Sequence, residues 1–316
     1  MRDRYATLRR IQALDPARDY LAIYQTMLRF EFPWDLRFGI NLAFNRSFAM
    51  PPVAALLVGT GELTERTRKR IDDTGILMYE IVLNGFDHPR GRAALRRVNQ
   101  IHRPYRDVPG DEYLYVLACA VVIPLRWLDR YGWRQPCCHE REATYRFFRE
   151  LGRRMHITGI PESADDLHSW FEAYDRRLVP DDNAAAIERA TRMHLRKRLP
   201  LLTDALIGAV YDDRFRAAAK VARPPWRVRA GLHAALRARA RWLRHLGRPR
   251  RTGLFEGGVI TTATYPDGYE IAELGPASAL PDRPDDDGGE DAGDGQRQQQ
   301  TEGQVQRLDR SHGGIP

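Results

Sequence analysis

YLYVLACAVVIPLRWL, residues 113 to 128, is the longest oily run in the chain. Only eleven residues precede Pro124, and Arg126 follows soon after, whereas a helix that spans a bilayer needs about 20 apolar residues. The run therefore predicts a helix buried in a core. Asp111 and Glu112 stand at its positive N-terminal end, and Pro124 is expected to kink or end it. Such a helix has to be covered by other elements, and the remaining sequence offers mostly helices.

Apolar residues recur at helical spacing nearly throughout. The spacing predicts helices over 14–29 (Asp15 as cap, Pro16 just inside), 36–48, 52–58, 63–85 (Thr64 as cap, Gly85 as stop) and 91–103, the last ended by Pro104. Further helices are expected over 139–155, from the SADD cap at 163–166 to about Leu178, over 183–197, and along LLTDALIGAVYDD after Pro200. TATYPDGYEI, residues 262 to 271, is the one strand-and-turn signal, with Pro-Asp-Gly between β-formers. From Pro276 onward the chain is acidic and rich in glycine and glutamine, too polar to bury a core, and reads as a disordered tail. The expectation is an all-α protein: a single large helical domain, a small β-hairpin near the C-terminus and a disordered acidic tail.

With 316 residues, 43% of them hydrophobic, the chain can bury a sizeable core. The formal net charge is +8, carried by arginine far more than lysine. Such a balance favours acidic partners, although an arginine-rich genome spelling its surface charges this way explains it equally simply. Cys119, Cys137 and Cys138 make a poor disulfide framework, so a reducing compartment is expected. With no apolar stretch behind the N-terminal arginines, no signal peptide is visible, and a cytoplasmic location is expected. Between Asp213 and Glu256 there is no acidic residue. Residues 223–251 carry Trp226 and Trp242 among many arginines, with Leu232, Leu236, Leu243 and Leu246 as an apolar face. That segment suits peripheral contact with an anionic membrane, or a helix packed on the domain with its arginines in water. Nothing but charge points to nucleic acid, and no specific nucleic-acid partner is expected.

RRVNQIHRPYR, residues 96 to 106, places a histidine on an oily stripe. Leu95, Val98, His102 and Tyr105 follow at spacings of three, four and three, while Arg96, Arg97, Asn99, Gln100 and Arg103 cover the other faces. A buried imidazole needs a partner, and a carbonyl, a carboxylate or a metal would serve. On the helix before it, Arg70 and Thr74 stand four apart beside Ile71, Leu77, Met78 and Ile81. They are either a solvated edge or the few polar groups that orient a ligand in an oily pocket. Other templates are missing: GTGEL at 59–63 lacks the lysine and spacing of a phosphate loop, and no nucleophile elbow or H-E-x-x-H occurs. CCHE at 137–140 lacks the second cysteine pair of a zinc site and reads as an exposed turn.

The series RTRKRIDDT, GFDHPRGRAALRRVNQIHRPY, DEYLYVLACAVVIPLRWLDRYGWR and YRFFRELGRRMHITGIPES resembles, in order over about 20–205, the MpaB and latex-clearing rubber oxygenase family. The closing TYPDGYEIAELGP is similar to the C-terminal end of its MpaB-like members. The resemblance implies an all-helical fold with a globin-like core. It divides the chain into an N-terminal arm (1–19), a catalytic domain (20–205), a basic helical extension with a hairpin (206–275) and a tail (276–316). It implies haem b, dioxygen and oxidative cleavage of carbon–carbon double bonds in an isoprenoid substrate. His102 matches the family's proximal iron ligand; Arg70 and Thr74 match by spacing its distal arginine and threonine. Asp73 stands at the place of the distal lysine, and no residue matches the distal glutamate. With haem bound, Arg96 and Arg97, and also Arg103 and Arg106, are expected to meet propionates at the pocket edge. The competing expectation is a non-catalytic helical haem- or lipid-binding protein of the same fold.

Overall fold

The oily run lies within one helix, and that helix is where the other elements converge. The computed structural model describes residues 3–105, 108–256 and 260–276. Among these are thirteen α-helices: α1 (Ala6–Gln12), α2 (Tyr20–Thr26), α3 (Pro33–Ser47), α4 (Pro51–Gly59), α5 (Thr67–Asn84), α6 (Pro89–His102), α7 (Gly110–Tyr131), α8 (Cys138–Arg154), α9 (Ala164–Asp175), α10 (Asp182–Arg198), α11 (Asp204–Val210), α12 (Asp213–Ala218) and α13 (Trp226–His245). A π-helical turn, Met27–Glu31, joins α2 to α3. The described residues all fall in one packed unit, so the all-α expectation holds there.

Pro124 neither ends α7 nor stands at an edge: the helix runs on to Tyr131, and Pro124 is buried. The reason lies 85 positions earlier, where α3 crosses α7 at Gly39. A Cβ on Gly39 would sit 2.7 Å from Pro124 Cα, so only glycine lets the two backbones approach this closely. α3 and α7 are the most extensively packed pair of helices. The side chains around α7 form the main core, including Tyr24, Phe32, Leu36, Phe147 and Phe171.

Several predicted boundaries move for local reasons. Asp15 caps a turn instead of a helix, accepting from the Ala17 N–H at 2.8 Å, and α2 starts at Tyr20. Thr64 likewise belongs to a turn, its hydroxyl donating to the Gly61 carbonyl at 3.3 Å, and α5 starts at Thr67. Gly85 does stop α5, at φ 80°. LLTDALIGAVYDD divides into α11 and the start of α12, because Thr203 and Asp212 each cap a fresh helix. Ser163 caps α9 as expected, accepting from the Asp166 N–H at 3.0 Å. CCHE opens α8, with the Cys137 N–H donating to Glu140 at 2.8 Å and Glu140 buried against Arg134.

The expected hairpin is absent: the described residues contain no strand, and 262–271 is a turn followed by a 3₁₀ segment, Ile271–Glu273. Besides the bonds of its own turns, its polar groups bond to α5 and α6. The Tyr265 hydroxyl donates to Asp73 and the Tyr269 hydroxyl to Glu80, each at 2.5 Å, while Thr264 donates to Asp72. The Gly275 N–H donates to Asp73 at 3.0 Å, and Arg97 Nε donates to the Leu274 carbonyl at 2.6 Å. The chain from 260 to 276 is thus a strap across α5 and α6, with Ile260 and Leu274 buried beneath it. The expected tail, apart from Pro276, lies outside the described residues.

No single helix among the described residues is long and apolar enough to cross a membrane; α3 and α4 reach that composition only jointly, and they meet at 92°. Two consequences are testable. Gly39→Ala is expected to cost about 1–3 kcal/mol by forcing α3 off α7, measured by chemical denaturation. Asp73→Ala removes the acceptor of a hydroxyl, a backbone amide and an ammonium. It is expected to cost about 1–3 kcal/mol and to speed amide exchange within 260–276 more than elsewhere.

Candidate functional site

α6 is held close to α5 by a glycine. At Gly91 an added Cβ would lie 1.8 Å from the Gly85 carbonyl oxygen, so the first turn of α6 rests directly on the end of α5. The predicted stripe on α6 is buried at Leu95 and Val98, and His102 continues it at the helix end, half-buried. The His102 ring meets Tyr113, from the first turn of α7, edge to face with centroids 5.8 Å apart.

The hydrogen bond of His102 fixes its chemistry. Nδ1 lies 2.8 Å from the Val98 carbonyl oxygen. A carbonyl only accepts, so Nδ1 carries the proton and Nε2 keeps the lone pair of the neutral ring. Burial pushes the imidazole below its ordinary range. The Val98 bond pulls the other way, and the Arg70 charge adds to the depression. Neutral imidazole with a free Nε2 is the form that ligates a metal.

Arg70 and Thr74 share one face of α5 and are bonded to each other. The Thr74 hydroxyl donates to the Arg70 carbonyl at 2.8 Å and accepts from the Arg70 guanidinium. Thr74 thereby fixes the arginine and has no proton left to offer elsewhere. No described carboxylate pairs with the half-buried Arg70 guanidinium, and its burial lowers its pKa. Its other N–H groups remain the donors at this place. The Arg70 charge on α5 reaches the His102 ring on α6, and Thr74 is bonded to Arg70.

The two arginines expected at the cofactor's edge differ in their surroundings. Arg96 is exposed. Arg97 is buried, contrary to its placement on a polar face, because the strap covers that side and its Nε donates to the Leu274 carbonyl. Arg103 is exposed, and Arg106 lies outside the described residues. Tyr113 and Asp73 are the neighbours that sequence reasoning missed as site residues. Asp73 holds Lys69 at 2.7 Å, and Lys69 also donates to the Gly275 carbonyl at 2.9 Å.

Among the described residues no group of three or more His, Cys, Asp or Glu could hold a bare metal ion. A single imidazole therefore fits only a metal whose other ligands come with it. Iron in a porphyrin is such a metal, since one axial nitrogen suffices. An open cleft of about 500 Å³ lies elsewhere, against the second half of α7 (Ile123 to Tyr131), and its walls include none of His102, Arg70 and Thr74. At 1.5 Å per residue its residues lie roughly 15–27 Å along α7 from Tyr113.

Residues 36–252 match the family described as ER-bound oxygenase mpaB/B'/Rubber oxygenase, catalytic domain. Among curated proteins, the chain is 26% identical to ER-bound oxygenase mpaB' of Penicillium brevicompactum, over 78% of its own length and 64% of the relative's. It is 27% identical to ER-bound oxygenase mpaB of the same species, over 56% of its own length and 50% of the relative's. Against ER-bound oxygenase mpaB of Penicillium roqueforti the identity is 26%, over 68% and 83%. The chain thus spans between half and two thirds of the length of the first two. With more than half of its residues inside that match, the chain belongs to the family of the mpaB/B' and rubber oxygenase catalytic domain.

Proposed function

We propose that this protein is a haem-dependent oxygenase acting on a hydrophobic, isoprenoid-like substrate, with His102 as the axial ligand of the iron. One observation carries the reading: the Val98 carbonyl holds the proton on Nδ1, so the neutral ring offers Nε2 from the end of a helix with one buried face. Membership in an oxygenase family supports it independently. Bound haem would supply the dioxygen chemistry, with oxidative cleavage of a carbon–carbon double bond as the expected reaction. The chain's own residues do the rest. Val98 orients the His102 ring, Thr74 holds the Arg70 side chain, and the unpaired N–H groups of Arg70 offer hydrogen bonds to a polarised oxygen atom. A globin-like arrangement of α5, α6 and α7 around the cofactor belongs to this reading.

We place the protein at an anionic membrane surface in the same reading. α13 has no buried residue, and its half-buried stripe of Val228, Leu232, Leu236 and Leu243 faces the domain. Trp242 and Leu246, four apart, are 57% and 70% exposed. Trp226 is exposed too, but sixteen residues at 100° each set it about 160° from Trp242. Trp242 and Leu246 therefore form the apolar contact, amid arginines and no acid.

The protein purified with haemin is expected to show a Soret band that His102→Ala abolishes; an unchanged band in that variant overturns the assignment. Haem should be held at pH 7 and released on acidification below the ordinary imidazole pKa of about 6.5. A depressed pKa favours the neutral ring above that range, and protonation of Nε2 below it removes the ligand. Oxygen uptake with polyprenyl compounds then distinguishes an enzyme from a haem carrier of the same fold. For the membrane, Trp242→Ser/Leu246→Ser should reduce flotation with anionic liposomes, and full retention of flotation refutes the contact.

A further inference from the structure

The cleft at the far end of α7 has walls from α3, α7, α9, α11, α12 and α13. Six arginines and four carboxylates line it. Every carboxylate is taken by an arginine. Glu172 pairs with Arg126 and Arg214. Asp175 pairs with Arg46 at 2.6 Å and Arg214 at 3.1 Å, Asp212 with Arg46, and Asp213 with Arg216. Arg130 and Arg229 form no described ion pair, although the Arg229 charge reaches Asp213; Arg130 lies over the face of Tyr131.

His233 is also on the cleft wall, and the charges of both arginines reach it. Its Nδ1 lies 2.5 Å from the Tyr131 hydroxyl oxygen, and the two rings stack at 5.8 Å. Burial first, and then the charges of Arg130, Arg237, Arg229 and Arg216, hold its imidazole below the ordinary range. Four guanidinium charges thus bear on one half-buried ring, and no carboxylate charge ranks among the influences on it. Like charges gathered this way repel, and the repulsion is relieved when an anion joins them.

The helix that carries Arg229 and His233 is tied down in both halves, while Arg130 is exposed on α7. The Tyr131 bond ties down the first half of α13. In the second half, Arg239 pairs with buried Asp35 at 3.0 Å and lies 4.1 Å over the Trp34 ring. Asp35 also accepts from the Trp127 indole N–H at 3.1 Å. Leu42, Ile123, Trp127 and Val210 supply the apolar part of the cleft wall.

We infer that this cleft is a second ligand site, which binds the phosphate or diphosphate group of an amphiphilic molecule between Arg130, Arg229 and His233 and rests its apolar body on Leu42, Ile123 and Trp127. Guanidinium groups match phosphate oxygens two at a time, which a carboxylate-paired arginine cannot do. The site lies apart from His102 and does not depend on haem.

The test uses the full-length purified protein and inorganic pyrophosphate, read by thermal shift and calorimetry at constant ionic strength. Pyrophosphate is expected to bind saturably and raise Tm. Arg130→Gln/Arg229→Gln should weaken binding about tenfold or more. The control pair Arg227→Gln/Arg244→Gln, on the same helix but outside the cleft wall, should leave it unchanged. Absence of saturable binding overturns the proposal, and so does an equal loss in the control pair. Flotation with phosphatidylcholine vesicles, with and without phosphatidic acid, then identifies the source of the phosphate. Loss of the phosphatidic-acid-dependent part in Arg130→Gln/Arg229→Gln marks a lipid headgroup. Its retention alongside lost pyrophosphate binding marks a soluble phosphate ester. His102→Ala should bind pyrophosphate normally, which keeps this site's failure distinct from that of the haem reading.

Discussion

Twelve of the 22 residues of α7 are buried, and a helix covered to that degree must be enclosed by others on most sides. α3 approaches it where Gly39 faces Pro124; α8, α9 and α13 also pack against it. Proline inside a helix removes one backbone hydrogen bond and usually marks a bend. Here its ring takes part in the tightest backbone approach between α3 and α7, so the feature that looked like a stop is a packing surface. The two functional regions follow from this arrangement. The first turn of α7 carries Tyr113 against the His102 ring. Its last turns carry Trp127, Arg130 and Tyr131 into the cleft.

The arginine content takes on a different meaning once burial is known. Arg46, Arg97, Arg134 and Arg216 are all less than 10% exposed. Each is tied to carboxylates or backbone carbonyls. Arg134 bridges Glu31 and Glu140, each at 2.6 Å, and Arg46 bridges Asp175 and Asp212. A buried ion pair costs desolvation, and its geometry has to be excellent for the pair to stabilise anything. What these pairs do here is specify: they lock α3 to α9 and to the start of α12, and they lock the turn before α8 to the end of the π-helical turn. A genome-wide taste for arginine explains the exposed guanidiniums of α13 but not these.

The sequence carried what depends on short spacing. The stripe through Leu95, Val98 and His102, the four-residue step from Arg70 to Thr74 and the SADD cap all express helical periodicity within a few residues, and each has its expected place in the structure. What was hidden depends on partners far along the chain. Arg97 reads as surface until Leu274, 177 residues later, lies over it. Asp73 reads as a solvated charge until the Gly275 N–H, 202 residues on, reaches it. The tyrosines of TYPDGYEI have strand propensity, but propensity is weak beside buried carboxylates on α5 that accept their hydroxyl protons. Nor could the pairing of all four cleft carboxylates be read from the sequence. It takes α3, α9 and α12 to bring Arg46, Asp175 and Asp212 within reach of one another.

The two regions differ in how the chain treats unpaired polarity. Around His102 the helix backbone itself supplies the compensating group, because Val98 lies one turn before the ring and offers a carbonyl whatever the rest of the fold does. That leaves Nε2 as the one unspent function, and its chemistry is set locally, by helix geometry. At the cleft no local rule protects His233 from its arginines. They come from α7, α12 and α13, and α13 itself is tied to α3 by Arg239 with Asp35. In the proposed site an anion relieves this repulsion. An anion offsets it at no cost to the ion pairs already formed. The same helix that sets Tyr113 against the proposed iron ligand at one end carries, at the other, Arg130 and Tyr131 on the wall of the proposed anion site.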